Sequence, residues 1–223
     1  MSKKPNLFIL GAPKCGTTTI YHWLGQIQDI FTSNVKEPHY FCKDYQLTNS
    51  QAYKALYNNS ASYKYALDAS VWYFYHKSWR DILMYNPNSK FILLLRSPLL
   101  MMQSMHSQQI FNGNELEPQF NDAIKLNDLR NKGKSVKVKK GYFNQHLAYI
   151  DSCCLDKILD EFINEIPVDN RLILTLDELK SENKTWNKIC EFLKIECVPI
   201  KFNTYNKRRV RHSILLDKIV LAL

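Results

Sequence analysis

The sequence predicts an α/β fold with a central parallel sheet, on three observations. Short, continuously apolar runs recur at residues 6–10, 65–67, 91–95 and 171–176. Each run is followed by a stretch with helical periodicity, and the first ends in a glycine-bounded loop at Gly11. Strands buried on both faces read as unbroken apolar runs, and their alternation with helices is the pattern of a parallel sheet covered on both sides. The expected architecture is three-layered, with helices flanking the sheet.

The elements follow in order. Ile20, Leu24 and Ile27 recur at helical spacing from Thr17 onward, which makes the opening a strand, a tight loop and a helix. Between 142 and 162, Phe143, Leu147, Ile150, Cys154, Ile158 and Phe162 share one helical face, and Trp186, Ile189, Cys190 and Leu193 do the same later. Both read as core packing. From 107 to 140 the pattern lapses into Asn, Gly, Glu and Lys, with Lys132, Lys134, Lys137, Lys139 and Lys140 close together, which reads as a solvated basic loop. No aromatic residues interleave with these lysines as stacking platforms, so nucleic acid is not the expected partner. No repeat or linker divides the 223 residues, and a single domain over 1–223 is expected.

The 30 Lys and Arg outnumber the 21 Asp and Glu, and the net charge of +9 favours an anionic partner: a phosphorylated cofactor, an acidic glycan or nucleic acid. Only four apolar residues, 7–10, follow the N-terminal lysines, far short of a signal-peptide core or a span of roughly 20 residues. A cytoplasmic protein without a membrane anchor is expected. Cys15, Cys42, Cys153, Cys154, Cys190 and Cys197 contain no CxxC pair, so free thiols in a reducing compartment are expected, with a Cys190–Cys197 bridge as the alternative. The same spacing gives metal binding little support.

The chemistry concentrates in Gly11-Ala12-Pro13-Lys14-Cys15-Gly16-Thr17-Thr18-Thr19. A glycine-bounded loop between a buried strand and a helix turns backbone N–H groups and the helix N-terminus toward one point, an anion cradle suited to phosphate. The fold is therefore P-loop-like. The Walker pattern GxxxxGK[ST] is not met, because Thr17 stands where its lysine belongs and Lys14 lies inside the loop.

This loop resembles that of the sulfotransferases that use 3′-phosphoadenosine 5′-phosphosulfate (PAPS), whose 5′-phosphosulfate loop reads G-x-P-K-[SCA]-G-T-T. Gly11, Pro13, Lys14, Cys15, Gly16, Thr17 and Thr18 match in register. A second match is Arg96-Ser97-Pro98 followed by Ser104, similar to the R-x-P-x(5)-S of that family, in which Arg and Ser bind the cofactor's 3′-phosphate. Met101 and His106 stand where Arg and Tyr are common. A third is Lys36-Glu37-Pro38-His39-Tyr40-Phe41, which looks like the KEPHFF segment of heparan-sulfate-type and bacterial members.

The resemblance implies roles. Lys14, Cys15, Gly16, Thr17, Thr18 and Thr19 would hold the 5′-phosphosulfate, Arg96 and Ser104 the 3′-phosphate. Glu37 would be the general base with His39 as the competing candidate, and Lys36 would hold developing charge or an acidic acceptor. Asp68-Ala69-Ser70 before Trp72-Tyr73-Phe74 is similar to the E-[KA]-[ST]-P-x-Y segment lining the acceptor cleft, with Val71 in place of Pro. Residues 171–193 resemble the late strand and helix of the family. Near the end, Asn206-Lys207-Arg208-Arg209-Val210-Arg211-His212-Ser213 resembles a basic segment that would help to cover the phosphates, and many relatives continue for some tens of residues beyond the position of Leu223.

The implied reaction is sulfonate transfer from PAPS to a hydroxyl or amine, without a metal, releasing adenosine 3′,5′-bisphosphate (PAP). The lysines of 132–140 point to an acidic glycan as acceptor, alongside a lipid, a small alcohol or a peptide. Two rivals stand beside this reading. A P-loop nucleotide kinase would share the sheet and loop but need Mg²⁺ and ATP, and a non-catalytic polyanion-binding module would share the charge and transfer nothing.

Overall fold

A computed structural model describes residues 3–42 and 48–203. Five strands form one parallel sheet: β1 Leu7–Gly11, β2 Ile30–Thr32, β3 Tyr65–Ala69, β4 Lys90–Leu95 and β5 Arg171–Thr175, in the order β2-β3-β1-β4-β5. The flanking helices are α1 Thr17–Leu24, α2 Ser50–Ala55, α3 Trp79–Tyr85, α4 Pro98–Phe111, α5 Phe120–Lys125, α6 Asn127–Asn131, α7 Tyr149–Cys153, α8 Asp156–Glu165 and α9 Glu182–Leu193. Every residue of β1 and β3 and the middle four of β4 are buried, as strands covered on both faces must be.

Among the described residues the chain forms two compact units, one of 3–97 with 154–203 and one of 98–153. The first contains the sheet. Its aromatic core joins Phe8 to Phe91, and Phe162 of α8 to Phe74, Trp79 and Phe91, at centroid distances of 5.3–6.1 Å. The second is organised around a fully buried ion pair, Arg130 Nη2 to Glu115 Oε1 at 2.7 Å, with Tyr149 donating to Glu115 Oε2 at 2.9 Å. Arg130 also donates to the carbonyls of Val136 at 3.2 Å and Leu147 at 3.1 Å, so the basic stretch has a fixed root.

Because all strands are parallel, the carboxyl ends of β1, β3, β4 and β5 share one edge, and β1 lies between β3 and β4, where connections leave in opposite directions. Crevices at such switch points are where open α/β sheets bind ligands. The β1–β4 register shifts between Ile9 and Gly11, just beneath the glycine-bounded loop.

The structure corrects three sequence expectations. The helix expected over 142–162 is a 3₁₀ turn at Asn144–Leu147 followed by α7 and α8, and the break after Cys153 turns the face, leaving Ile150 and Cys154 exposed. The stretch 107–140 is not simply loop, because α4 runs to Phe111 and α5 and α6 follow. Helix α1 ends at Leu24, so Ile27 lies beyond it. The six cysteines are unbridged, with Cys190 buried and Cys197 exposed. Among the described residues no helix is long and apolar enough to cross a membrane, and no cluster of three or more His, Cys, Asp or Glu could hold a metal ion.

Candidate active site

The loop after β1 is shaped by its glycines. Gly11 has φ 125°, and a Cβ there would sit 2.2 Å from the Val71 carbonyl oxygen, so only glycine fits. Gly16 has φ 94° and caps α1. The Ala12 amide is tied to the Leu94 carbonyl at 2.7 Å, and the amides of Cys15 and Thr19 turn inward to Ala12 and Gly16 at 3.3 and 3.0 Å. The amides of Lys14, Gly16 and Thr17 donate to no group among the described residues. Three orphan donors at a helix N-terminus are an arrangement able to cradle an anion.

Two cations stand at this loop. Lys14 is half-buried at φ 63°, and Arg96, at the end of β4, donates from Nη1 to the Lys14 carbonyl at 3.4 Å. Neither has a carboxylate within ion-pair distance among the described residues. Burial, and then the Arg96 charge, pull the Lys14 ammonium below its ordinary pKa. An anion placed there would relieve that repulsion. Cys15 is fully buried, its thiol pushed up to about 12 by burial, so it is an inert packing residue. Thr17 is buried, and Thr18 and Thr19 are half-buried.

The segment with Lys36, Glu37 and His39 joins the same edge, because the Glu37 amide donates to the Ala69 carbonyl at the end of β3 at 3.1 Å. Lys36 Nζ pairs with Glu37 Oε1, and His39 Nε2 lies 3.5 Å from Glu37 Oε2. Burial pushes the Glu37 carboxyl up, but hydrogen bonds from His39 and Lys36 and the Lys36 charge outweigh it, so its pKa lies below the ordinary value. The Glu37 carboxylate also acts on Lys14 electrostatically, which links this segment to the loop. The Glu37 side chain is 33% exposed and that of His39 5%, so Glu37 is open to solvent while His39 lies behind it.

The structure thus brings together Lys14, Cys15, Gly16, Thr17, Thr18, Thr19, Arg96, Lys36, Glu37 and His39 in the first unit. Ser104 is half-buried on α4 in the second unit, two turns after Pro98. Met101 and His106 are buried on the same helix, His106 Nε2 lying 2.9 Å from the Glu117 carbonyl oxygen. Arg208 and Arg209 lie outside the described residues. Sequence reasoning missed the setting of Asp68, which is 1% exposed and accepts from Tyr53, Tyr73 and Ser70. Apart from the resemblance of 68–70 to the cleft segment, its sequence signal is a carboxylate inside an apolar strand run.

The sulfotransferase domain family matches residues 6–210. The chain belongs to the sulfotransferase family. No curated protein matches it. Among solved structures, a sulfotransferase from Alicyclobacillus acidocaldarius is similar at a TM-score of 0.78 and 18% identity, over 99% of this chain and 91% of that one. The sulfotransferase domain from the curacin biosynthetic pathway gives 0.54 and 17%, over 90% of this chain and 76% of that one. Mouse sulfotransferase SULT7A1, solved in complex with PAP, gives 0.58 and 17%, over 89% of this chain and 61% of that one. At these identities the likeness shows the fold, and the family match carries the activity class of this sulfotransferase: sulfonate transfer.

Proposed function

We propose that this sulfotransferase uses PAPS as donor and a hydroxyl or amine, on a carbohydrate, as acceptor. The observation that carries the donor is the meeting, at one sheet edge, of three loop amides and two cations, Lys14 and Arg96, that have no hydrogen-bond acceptor or carboxylate partner, respectively, among the described residues. A doubly phosphorylated ligand needs such a site, and the residues fit it. Binding of PAP by a structural neighbour supports the same reading.

The amides of Lys14, Gly16 and Thr17 and the hydroxyls of Thr17, Thr18 and Thr19 would hold the 5′-phosphosulfate. Arg96 would hold the 3′-phosphate through charge-assisted hydrogen bonds. When bound, PAPS supplies a sulfonate activated by its anhydride link to phosphate. Lys14 neutralises charge at the loop, a contribution realised as negative charge moves to the departing phosphate. Glu37, ionised at neutral pH, accepts the acceptor's proton, while His39 and Lys36 hold its two oxygens and orient it.

Cation charge from the protein replaces that of a metal here, and the loop has no Lys-Ser/Thr pair of the kind that seats Mg²⁺. The unbridged thiols fit work in a reducing, cytoplasmic compartment. The lysines at 132–140 favour an acidic glycan among acceptors, and we read 1–223 as one functional domain. The test is incubation with PAPS labelled on sulfur and a panel of neutral and acidic oligosaccharides. Label on a carbohydrate product confirms the reading, and PAP binding without transfer to any sugar refutes the acceptor class.

A further inference from the structure

We infer that Asp68 is a positioning residue for the catalytic segment, acting through the hydroxyls of Ser70 and Tyr73 on the backbone that presents Glu37 and His39. The inference deepens the proposed function and rests on Glu37 as the base.

Glu37 and His39 are both non-glycine residues in the left-handed region, at φ 63° and 50°. Each such residue is strained and persists only where its surroundings over-determine it. The restraints converge on Asp68. Ser70 donates to Asp68 Oδ1 at 2.9 Å and accepts the His39 amide at 3.2 Å. Tyr73 donates to Asp68 Oδ2 at 2.9 Å and accepts the Phe41 amide at 3.5 Å.

Each hydroxyl has one proton. With that proton committed to the carboxylate, its lone pair is left aimed at a backbone amide of the segment. Only a carboxylate, which accepts at both oxygens and donates at none, sets both hydroxyls this way at once. Burial raises the Asp68 pKa, and the hydrogen bonds from Tyr53, Tyr73 and Ser70 oppose that rise. The carboxylate is 1% exposed and Ser70 is fully buried, so water does not substitute for either relay. The Ser78 hydroxyl, donating to the Phe41 carbonyl at 2.9 Å, and the Thr48 hydroxyl, donating to that of Pro38 at 2.8 Å, close the other side.

Tyr53 supplies the control. It donates to Asp68 Oδ2 at 2.7 Å, a bond comparable to the others, but no amide of the segment donates to its hydroxyl. A merely structural role for the cluster predicts equal effects for all three hydroxyls. A positioning role predicts that only Ser70 and Tyr73 matter to the segment.

The experiment compares Ser70→Ala, Tyr53→Phe, Asp68→Asn and Glu37→Gln with the unaltered full chain. Amide hydrogen exchange is read at His39, PAP affinity by calorimetry, and PAPS turnover with water as the probe acceptor, which yields PAP, sulfate and protons. Ser70→Ala is expected to speed exchange at the His39 amide at least about tenfold, the scale of one lost buried hydrogen bond. It should lower kcat by a similar factor while KM for PAPS and PAP affinity stay within about twofold. Tyr53→Phe should leave His39 exchange and kcat within about threefold. Unchanged exchange in Ser70→Ala, or equal losses of kcat in Ser70→Ala and Tyr53→Phe, overturns the inference. If Asp68→Asn does not fold, those two variants still decide. Fast His39 exchange in Ser70→Ala together with full turnover in Glu37→Gln would instead remove Glu37 as base and leave the relay standing.

Discussion

Replacing Arg96 by alanine separates the two ends of the cofactor site. Among the described residues the guanidinium makes one long hydrogen bond, Nη1 to the Lys14 carbonyl at 3.4 Å, so its removal should hardly disturb folding. Losing a charge-assisted hydrogen bond to the 3′-phosphate costs about 1.5–3 kcal/mol, roughly 10- to 150-fold in affinity. The expected loss of PAP affinity is therefore about 10- to 150-fold. The assay is calorimetric titration of wild type and Arg96→Ala with PAP and with adenosine 5′-phosphosulfate, which lacks the 3′-phosphate. Affinity for the latter should stay within about twofold. An equal loss for both ligands would mean that Arg96 serves the 5′ loop, and unchanged PAP affinity would remove it from the site.

Further predictions concern the base and the second unit. Glu37→Gln should lower turnover by about 10²- to 10⁴-fold with PAP affinity preserved, and His39→Ala should lower it less, since the imidazole backs the carboxylate; the reverse order in steady-state kinetics would make His39 the base. Glu37 has a depressed pKa, so its ionised form is retained as pH falls through the ordinary carboxylate range near ~4.3 and lost only below it. Lys36→Met removes part of that depression and should move the acid limb of the kcat profile to higher pH; an unmoved limb would show that Lys36 does not tune Glu37. Arg130→Met leaves Glu115 buried and unpaired and should destabilise the protein by about 3–5 kcal/mol in urea unfolding. The double change with Glu115→Leu should lose less than the single one, and an additive loss would contradict the pairing.

The glycine-bounded loop, the main strands and the place of Arg96 at the end of β4 were legible because their signals are local: apolar runs, two glycines and a basic residue at fixed spacing. The edge strand β2 was not, since three residues, Ile30, Phe31 and Thr32, give no periodicity to read. The break between α7 and α8 was hidden because apolar spacing continues through Cys154 and Leu155 although the backbone leaves the helix there. The 107–140 stretch looked solvated because sequence shows the charges of Glu115 and Arg130 but not that they are buried against each other. The hydroxyls on Asp68 come from positions 53, 70 and 73, and only the fold brings the first to the other two. Glu37 and His39 were legible as a motif, whereas their contact and their difference in exposure were not.

The most direct test of the whole account is calorimetric titration of the purified protein with PAP beside ATP with Mg²⁺. The account predicts PAP binding with a Kd of about 1 μM or tighter and no comparable binding of ATP. Preference for ATP with Mg²⁺, or no binding of PAP, would contradict it.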